Sequence, residues 1–209
     1  METNLPKTHW ETIYQTKQAD QVSWTQAIPV TSLTFIRQAN LPCTARIIDI
    51  GGGDSNLVDF LLDEGYECIS VLDISEAALN RAKERLGSWA DRVEWIVSDI
   101  TNYRPVQPID FWHDRAAFHF LTTAGQISRY VATARASVVP GGYVTIGTFS
   151  DNGPEKCSGL PVRRYSEQTL IHELTQGFQK LRCLTEDHIT PFQTSQNFLF
   201  CSFRREGQN

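Results

Sequence analysis

Apolar positions along the chain switch between two periods. Short β-rich runs stand at residues 45–50 (ARIIDI), 68–72 (CISVL), 93–97, 109–112 and 143–149. Between them apolar residues recur at helical spacing. Leu57, Val58, Leu61 and Leu62 form one such face, and Gly65 stops it. Ser75 is placed to cap the next helix, with Glu76 near its positive end. Ala78, Leu79, Ala82 and Leu86 give that helix an apolar side up to Gly87. Ile127, Tyr130, Val131, Ala134 and Val138 mark a further helix, broken at Pro140-Gly141-Gly142. Residues 151–161 read as a loop and 167–175 as a short helix. The runs 181–189 and 197–203, joined by the turn 191–196, lack a helix between them and should pair antiparallel at one sheet edge. Strands alternating with helices predict an α/β fold, with helices on both faces of a parallel sheet. Residues 7–40 look helical and precede the first strand, long enough for an N-terminal lid over residues 1–40.

Composition narrows the picture. With 209 residues the chain fits a single domain, 1–209, since domains run to roughly 100–200 residues. Hydrophobic residues are 41% and charged residues 21%, which excludes a disordered chain. A net charge of -5 argues against nucleic acid as the main partner. No run of about 18 apolar residues is present, so no membrane partner is expected. Met1 to Trp10 has no apolar signal region, which fits a cytoplasmic protein. Cys43, Cys68, Cys157, Cys183 and Cys201 are odd in number and show no C-x-x-C spacing. That pattern predicts reduced thiols and no metal site.

The chemistry gathers where the strands end. In a doubly wound sheet, ligands sit at the carboxyl ends of the strands where the strand order reverses. The first strand runs into Asp49-Ile50-Gly51-Gly52-Gly53-Asp54-Ser55-Asn56. Its glycines permit a tight turn and a close approach of backbone to ligand. A dinucleotide fingerprint would require a third glycine where Asn56 stands, and a pyrophosphate would meet Asp49 and Asp54. Those carboxylates disfavour a nicotinamide oxidoreductase and favour a cationic ligand. S-adenosylmethionine qualifies, with a sulfonium, an ammonium and no phosphate. Asp73, at the end of the second strand, is placed to accept both ribose hydroxyls. Asp99 follows the third strand and can accept from the adenine amino group, with Ile74 and Ile100 on the two ring faces. Taken singly, each aspartate also reads as a turn or cap acid.

The series Asp49-x-Gly51-x-Gly53, then V-L-D-I-S around Asp73, S-D-I around Asp99 and P-G-G-Y from Pro140 resembles class I S-adenosylmethionine-dependent methyltransferases. The likeness runs from about Ala45 to the C-terminus. It implies a Rossmann-like, doubly wound, mostly parallel seven-stranded sheet with an antiparallel last strand, and S-adenosyl-L-methionine as cofactor. Ser55 departs from the glycine that many members carry, and G-x-G-x-S-x-L is similar to methyltransferase-like protein lysine methyltransferases. Residues 112–116 (WHDRA) are similar in placement to the W-D-R-G segment of thiopurine methyltransferases. The spacing of Trp10, Tyr14 and Trp24 is similar to the lid of these small enzymes.

Candidate catalytic residues follow the fourth strand. His113 and Asp114 are expected to line the transfer site, and Arg115 to orient an anionic or thiolate acceptor. A competing reading makes Arg115 and Asp114 a local ion pair and His119 a turn cap. Substrate contacts are expected from Trp10, Tyr14, Trp24, His119 and Cys157, the last as a thiol activated by Lys156. Packing aromatics and an ordinary loop cysteine are the alternatives. Arg163 and Arg164 read as binding an acidic group or as solvated. His9, His172 and His188 read as surface residues. The favoured function is methylation of a small-molecule acceptor, a thiol or other soft nucleophile. A protein lysine N-methyltransferase, with a protein substrate, and a non-catalytic S-adenosylmethionine-binding module stand beside it.

Overall fold

A computed structural model describes residues 5–207. The N-terminal region forms α1 (Leu5–Thr16) and α2 (Val30–Gln38). Then β1 (Arg46–Ile50), α3 (Leu57–Asp63), β2 (Cys68–Asp73), α4 (Glu76–Leu86) and β3 (Val93–Val97) alternate. Ser75 Oγ accepts from Ala78 N and Gly87 ends α4, as the cap pattern predicts. β4 (Ile109–Arg115), α5 (Ala124–Ser137) and β5 (Val138–Phe149) follow. The loop expected over 151–161 contains a small hairpin of β6 (Lys156–Cys157) and β7 (Leu160–Pro161). α6 (Glu167–Leu174), β8 (Phe178–Ile189) and β9 (Ser195–Arg205) complete the fold.

The seven-stranded sheet has the order β3-β2-β1-β4-β5-β9-β8. The first five pair parallel. β9 runs antiparallel to both β5 and β8. The last strand is therefore reversed as expected, but it lies one place in from the edge. The order reverses between β1 and β4, and their carboxyl ends flank the glycine loop.

Strand alternation divides the core into two layers. Ile48, Ile50, Trp112, Val144 and Ile146 face α5 and α6. Ile47, Val71, Phe111, Phe198 and Phe200 face α2 and α3. The expectation of five reduced cysteines fails. Cys183 and Cys201 face each other in register on β8 and β9, with Cα atoms 4.1 Å apart, and form a disulfide. Sequence separation hides a pairing that the strand register creates. Cys43, Cys68 and Cys157 are free. No helix among the described residues is long and apolar enough to cross a membrane.

Candidate active site

The loop after β1 is held tight between two neighbours. Gly51 and Gly53 have φ of 65° and 49°, a region that side chains disfavour. A Cβ at Gly51 would lie 2.5 Å from Ala117 Cβ, in the loop after β4. One at Gly53 would lie 2.9 Å from Tyr14 Oη and 3.1 Å from Asp73 Oδ2. The two glycines thus let the backbone pass between α1, β2 and β4. Gly52 is constrained by space alone: its Cβ would meet Asp49 Oδ2 at 2.6 Å.

Beside this loop lies a cavity walled at one end by Asp73, Ile74, Asp99 and Ile100. Asp73 Oδ1 accepts from Ser75 N at 2.8 Å. Burial pushes the Asp73 carboxyl up to about 7, against that hydrogen bond and with Asp54 and Asp49 adding to the rise. Asp99 Oδ1 accepts from Thr101 N and Thr101 Oγ1, both at 2.8 Å, which fixes the carboxyl beside the cavity. The same cavity is also lined by Trp10, Tyr14, Trp24, Phe120, Arg115 and Cys157, with Arg115 on β4, on the far side of β1 from Asp73. A second cavity shares Tyr14, Trp24, Gly51 and Arg115 with the first and extends to Asp49, His113 and Ser32. Asp54 stands in its wall 3.6 Å from Arg81, and burial raises its carboxyl.

The fourth strand runs three residues further than its apolar pattern indicates, to Arg115. His113, Asp114 and Arg115 are therefore strand residues on alternating faces rather than one loop cluster. Asp114 faces the α5 side and lines neither cavity. Its Oδ1 accepts from Ala117 N and Phe118 N at 3.1 and 3.0 Å. Its Oδ2 accepts from Tyr130 Oη at 2.8 Å, and Trp112 Nε1 donates to that hydroxyl. Burial lifts the carboxyl to about 6 in spite of these bonds. Asp114 thus holds the turn in which Ala116 takes a left-handed φ of 68°. Its partners are thus the turn and Tyr130, not Arg115.

His113 sits opposite Asp49 in the β1–β4 register. Its Nδ1 lies 2.7 Å from Asp49 Oδ1, and both residues are buried. Arg115 Nη1 donates to Trp24 O at 2.8 Å, and the guanidinium lies 4.8 Å from the Phe198 ring centre. Burial lowers its pKa to about 10, with Glu186 and Asp49 opposing the shift.

Trp10 packs edge-on against Trp24 and Phe120, with ring centres 5.6 and 5.0 Å apart. Glu11 accepts from Ser75 Oγ and from Ala77 N, which fastens α1 to the start of α4. Phe120 and Glu11 carried no signal in the sequence reading. Phe120 becomes recognisable only once the turn after β4 is known.

Two expected substrate contacts change character. His119 is fully buried, its ring tilted against Phe149 with ring centres 4.5 Å apart, and lines neither cavity. Burial and Arg115 push its pKa down to about 3, so it stays neutral. Cys157 does line the first cavity, but burial pushes its thiol up to about 11, opposite to activation. Arg163 and Arg164 are paired with Glu173 and Glu155 at 2.7 and 3.0 Å. His188 is buried against Ser23 O at 2.7 Å, not on the surface.

These walls suit a nucleoside that carries a positive charge. Two carboxylates, Asp73 and Asp99, and two aliphatic side chains, Ile74 and Ile100, line the first cavity together. The glycine loop offers carboxylates rather than the free cations a pyrophosphate needs, since Arg81 and Arg85 pair with Asp54 and Asp59. The family model of a methyltransferase domain matches residues 48–144. The chain carries a methyltransferase domain over these residues. No curated protein matches this methyltransferase. Among solved structures, it is similar to the N-methyltransferase NodS of Bradyrhizobium japonicum in complex with S-adenosylhomocysteine. The identity is 15%, covering 96% of this chain and 99% of that one, with a TM-score of 0.73. The 1,6-didemethyltoxoflavin-N1-methyltransferase of Burkholderia thailandensis matches at 17% identity, 97% and 88% coverage and a TM-score of 0.75. A protein described for conversion of a disulfide bond into a thioacetal group in echinomycin biosynthesis matches at 15% identity, 97% and 94% coverage and a TM-score of 0.76.

Proposed function

We propose that this methyltransferase acts on a small-molecule acceptor with a soft nucleophile, a thiol foremost. The observation that carries the reading is the polarity of the first cavity. Asp73 and Asp99 line it from the ends of β2 and β3, and the Arg115 guanidinium lines it among aromatic rings from β4, on the far side of β1. Arginine there repels the ammonium of a lysine and attracts a thiolate or an anionic substituent. The neighbour from echinomycin biosynthesis, whose described chemistry is at sulfur, points the same way.

When bound, S-adenosylmethionine supplies a methyl group already activated by a positive sulfur. The protein's task is then alignment and exclusion of water, and alignment alone is worth about 7–11 kcal/mol. Asp73 accepts the ribose hydroxyls. Asp99 accepts the adenine amino group, and Ile74 and Ile100 cover the ring. Asp49, Gly51 and Gly53 shape the amino-acid end of the site. Arg115 orients the acceptor, and His113 stands beside it, its ring fixed by Asp49. Trp10, Tyr14, Trp24 and Phe120 keep water from the transfer line, with the described part of the expected 1–40 lid, from residue 5 on, covering a single domain; residues 1–4 of that lid lie outside the described residues. A thiol, with a usual pKa of about 8.5, needs little help to ionise. Cys157 remains a neutral wall group.

A screen with radiolabelled S-adenosylmethionine over thiols, amines, carboxylates and cell lysate tests this. The expected product is a labelled small thioether. A labelled protein band would replace the reading with a protein lysine methyltransferase. Tight S-adenosylhomocysteine binding with no labelled product would replace it with a non-catalytic binding module.

A further inference from the structure

Apart from the two joined cavities, a third cavity of about 410 Å³ lies where β5, β9 and β8 meet the start of α6. That volume is within the range of small-molecule pockets. Cys183 on β8 stands in its wall and is half-buried. The disulfide partner, Cys201 on β9, is fully buried in the layer that faces α5 and α6 and is not part of the wall. The disulfide thus presents one sulfur to an open space and hides the other. Thiol–disulfide exchange depends on access, and the sulfur that is reached decides which cysteine is modified.

The bond ties down a strand that in turn holds the N-terminal segment. β8 is the edge strand, with β9 as its sheet neighbour. The two cysteines, 18 residues apart in sequence, join β8 to β9 covalently. Further along β8, His188 Nε2 lies 2.7 Å from Ser23 O, and Glu186 accepts from Thr31 Oγ1. Trp24 lies between those two anchors. Its carbonyl accepts from Arg115 Nη1 at 2.8 Å, and it lines both of the joined cavities. An edge strand without its covalent tie keeps ladder hydrogen bonds on one side alone, so local opening becomes easier.

We propose that Cys183 is a thiol–disulfide exchange site through which a dithiol reductant releases β8 and loosens the segment that carries Trp24. A thiolate entering the third cavity forms a bond to Cys183 Sγ. The Sγ–Sγ bond breaks, and its electron pair leaves on Cys201 Sγ, which takes up the proton that the attacking thiol gave up. The second thiol of the reductant then attacks the mixed disulfide and closes into a cyclic disulfide. Cys183 leaves as a thiol. One dithiol is oxidised and one protein disulfide is reduced. No part of this step depends on which acceptor is methylated.

The test uses the full chain purified without reductant, with the free thiols blocked by iodoacetamide. Peptide mass mapping should find Cys183 and Cys201 linked. A short pulse of glutathione, quenched with acid, should leave about tenfold more glutathione on Cys183 than on Cys201. Dithiothreitol should then free two thiols and lower Tm by about 5–10 °C. Hydrogen exchange should rise several-fold in β8 and over residues 23–31 and stay unchanged in β1 and β4. Cys201→Ala should show the exchange pattern of the reduced protein without any reductant, and dithiothreitol should not alter it. If Cys201→Ala fails to fold, Cys183→Ala, at the half-buried position, makes the same comparison. Unlinked cysteines in the purified protein overturn the proposal. Equal labelling of Cys183 and Cys201 by glutathione overturns it as well, and so does unchanged exchange over residues 23–31 after reduction.

Discussion

The two faces of β4 carry neighbouring ionisable residues in opposite conditions. Asp114 is buried with both carboxylate oxygens bonded, to two backbone N–H groups and a tyrosine. Arg115, one residue on, is half-buried, with two shielded nitrogens unbonded. A satisfied buried charge stabilises the structure around it, here the strained turn at Ala116. An unsatisfied one is a cost to the free protein that a ligand removes. Adjacent positions in sequence thus separate into architecture and chemistry because a strand points alternate residues to opposite sides.

Asp114→Ala tests the first half of that contrast and has the largest expected effect. It strands Ala117 N, Phe118 N and Tyr130 Oη, and should lower unfolding free energy by about 3–5 kcal/mol in urea titration. A loss below about 1 kcal/mol would remove the architectural role. Arg115→Ala should do the reverse. Methyl transfer falls about a hundredfold, some 2.7 kcal/mol, while the urea midpoint moves little. Equal losses of stability in both variants would dissolve the distinction between the faces.

The pH dependence sharpens the same contrast at the cofactor end. Asp73, raised to about 7, must be ionised to accept both ribose hydroxyls. Affinity for S-adenosylhomocysteine should therefore fall as pH drops below 7, approaching about tenfold per pH unit, and level off above it. Stability of the unligated protein has the opposite sign. Asp73 and Asp114 titrate at about 7 and about 6 folded, against an ordinary carboxyl value of 3.8. The folded state holds those protons more tightly, so their contribution is complete below about pH 4 and is lost as pH rises through 6 and 7. Calorimetry and thermal unfolding at matched pH values check the two signs. The smallest effect is expected at Cys157. Its raised thiol should resist alkylation at pH 8 in the folded protein, and Cys157→Ser should change turnover less than threefold by the usual scale of a non-reacting wall residue.

The part of the first cavity around Asp73 and Asp99 was legible because it depends on residues at or just past strand ends. Asp73 follows its apolar run directly and Asp99 follows one residue later, after Ser98, and Gly51 and Gly53 mark a turn that needs their φ. Both features are local. The acceptor end was not legible to the same degree, because it depends on register. The apolar pattern of β4 ends at Trp112, yet polar residues continue the strand through pairing with β1 and β5. Without that extension, 113–115 reads as one cluster. His119 and His188 read as polar and prove buried, since their surroundings come from β5, β9 and the N-terminal segment. The disulfide belongs to the same class: Cys183 and Cys201 meet through the register of two strands.

The position of β9 has a consequence for how the chain assembles. It follows β8 in sequence but lies between β5 and β8 in the sheet. β8 therefore has no partner in the sheet until β9 has docked on β5. The parallel part, β1 to β5, can form from segments in order, whereas β8 and β9 must arrive together as a hairpin. Such non-local closure is slow compared with local pairing. During that interval the outer edge of β5 is an unpaired strand, open to a second chain. Folding yield should thus be set by how quickly the β8–β9 hairpin closes that edge.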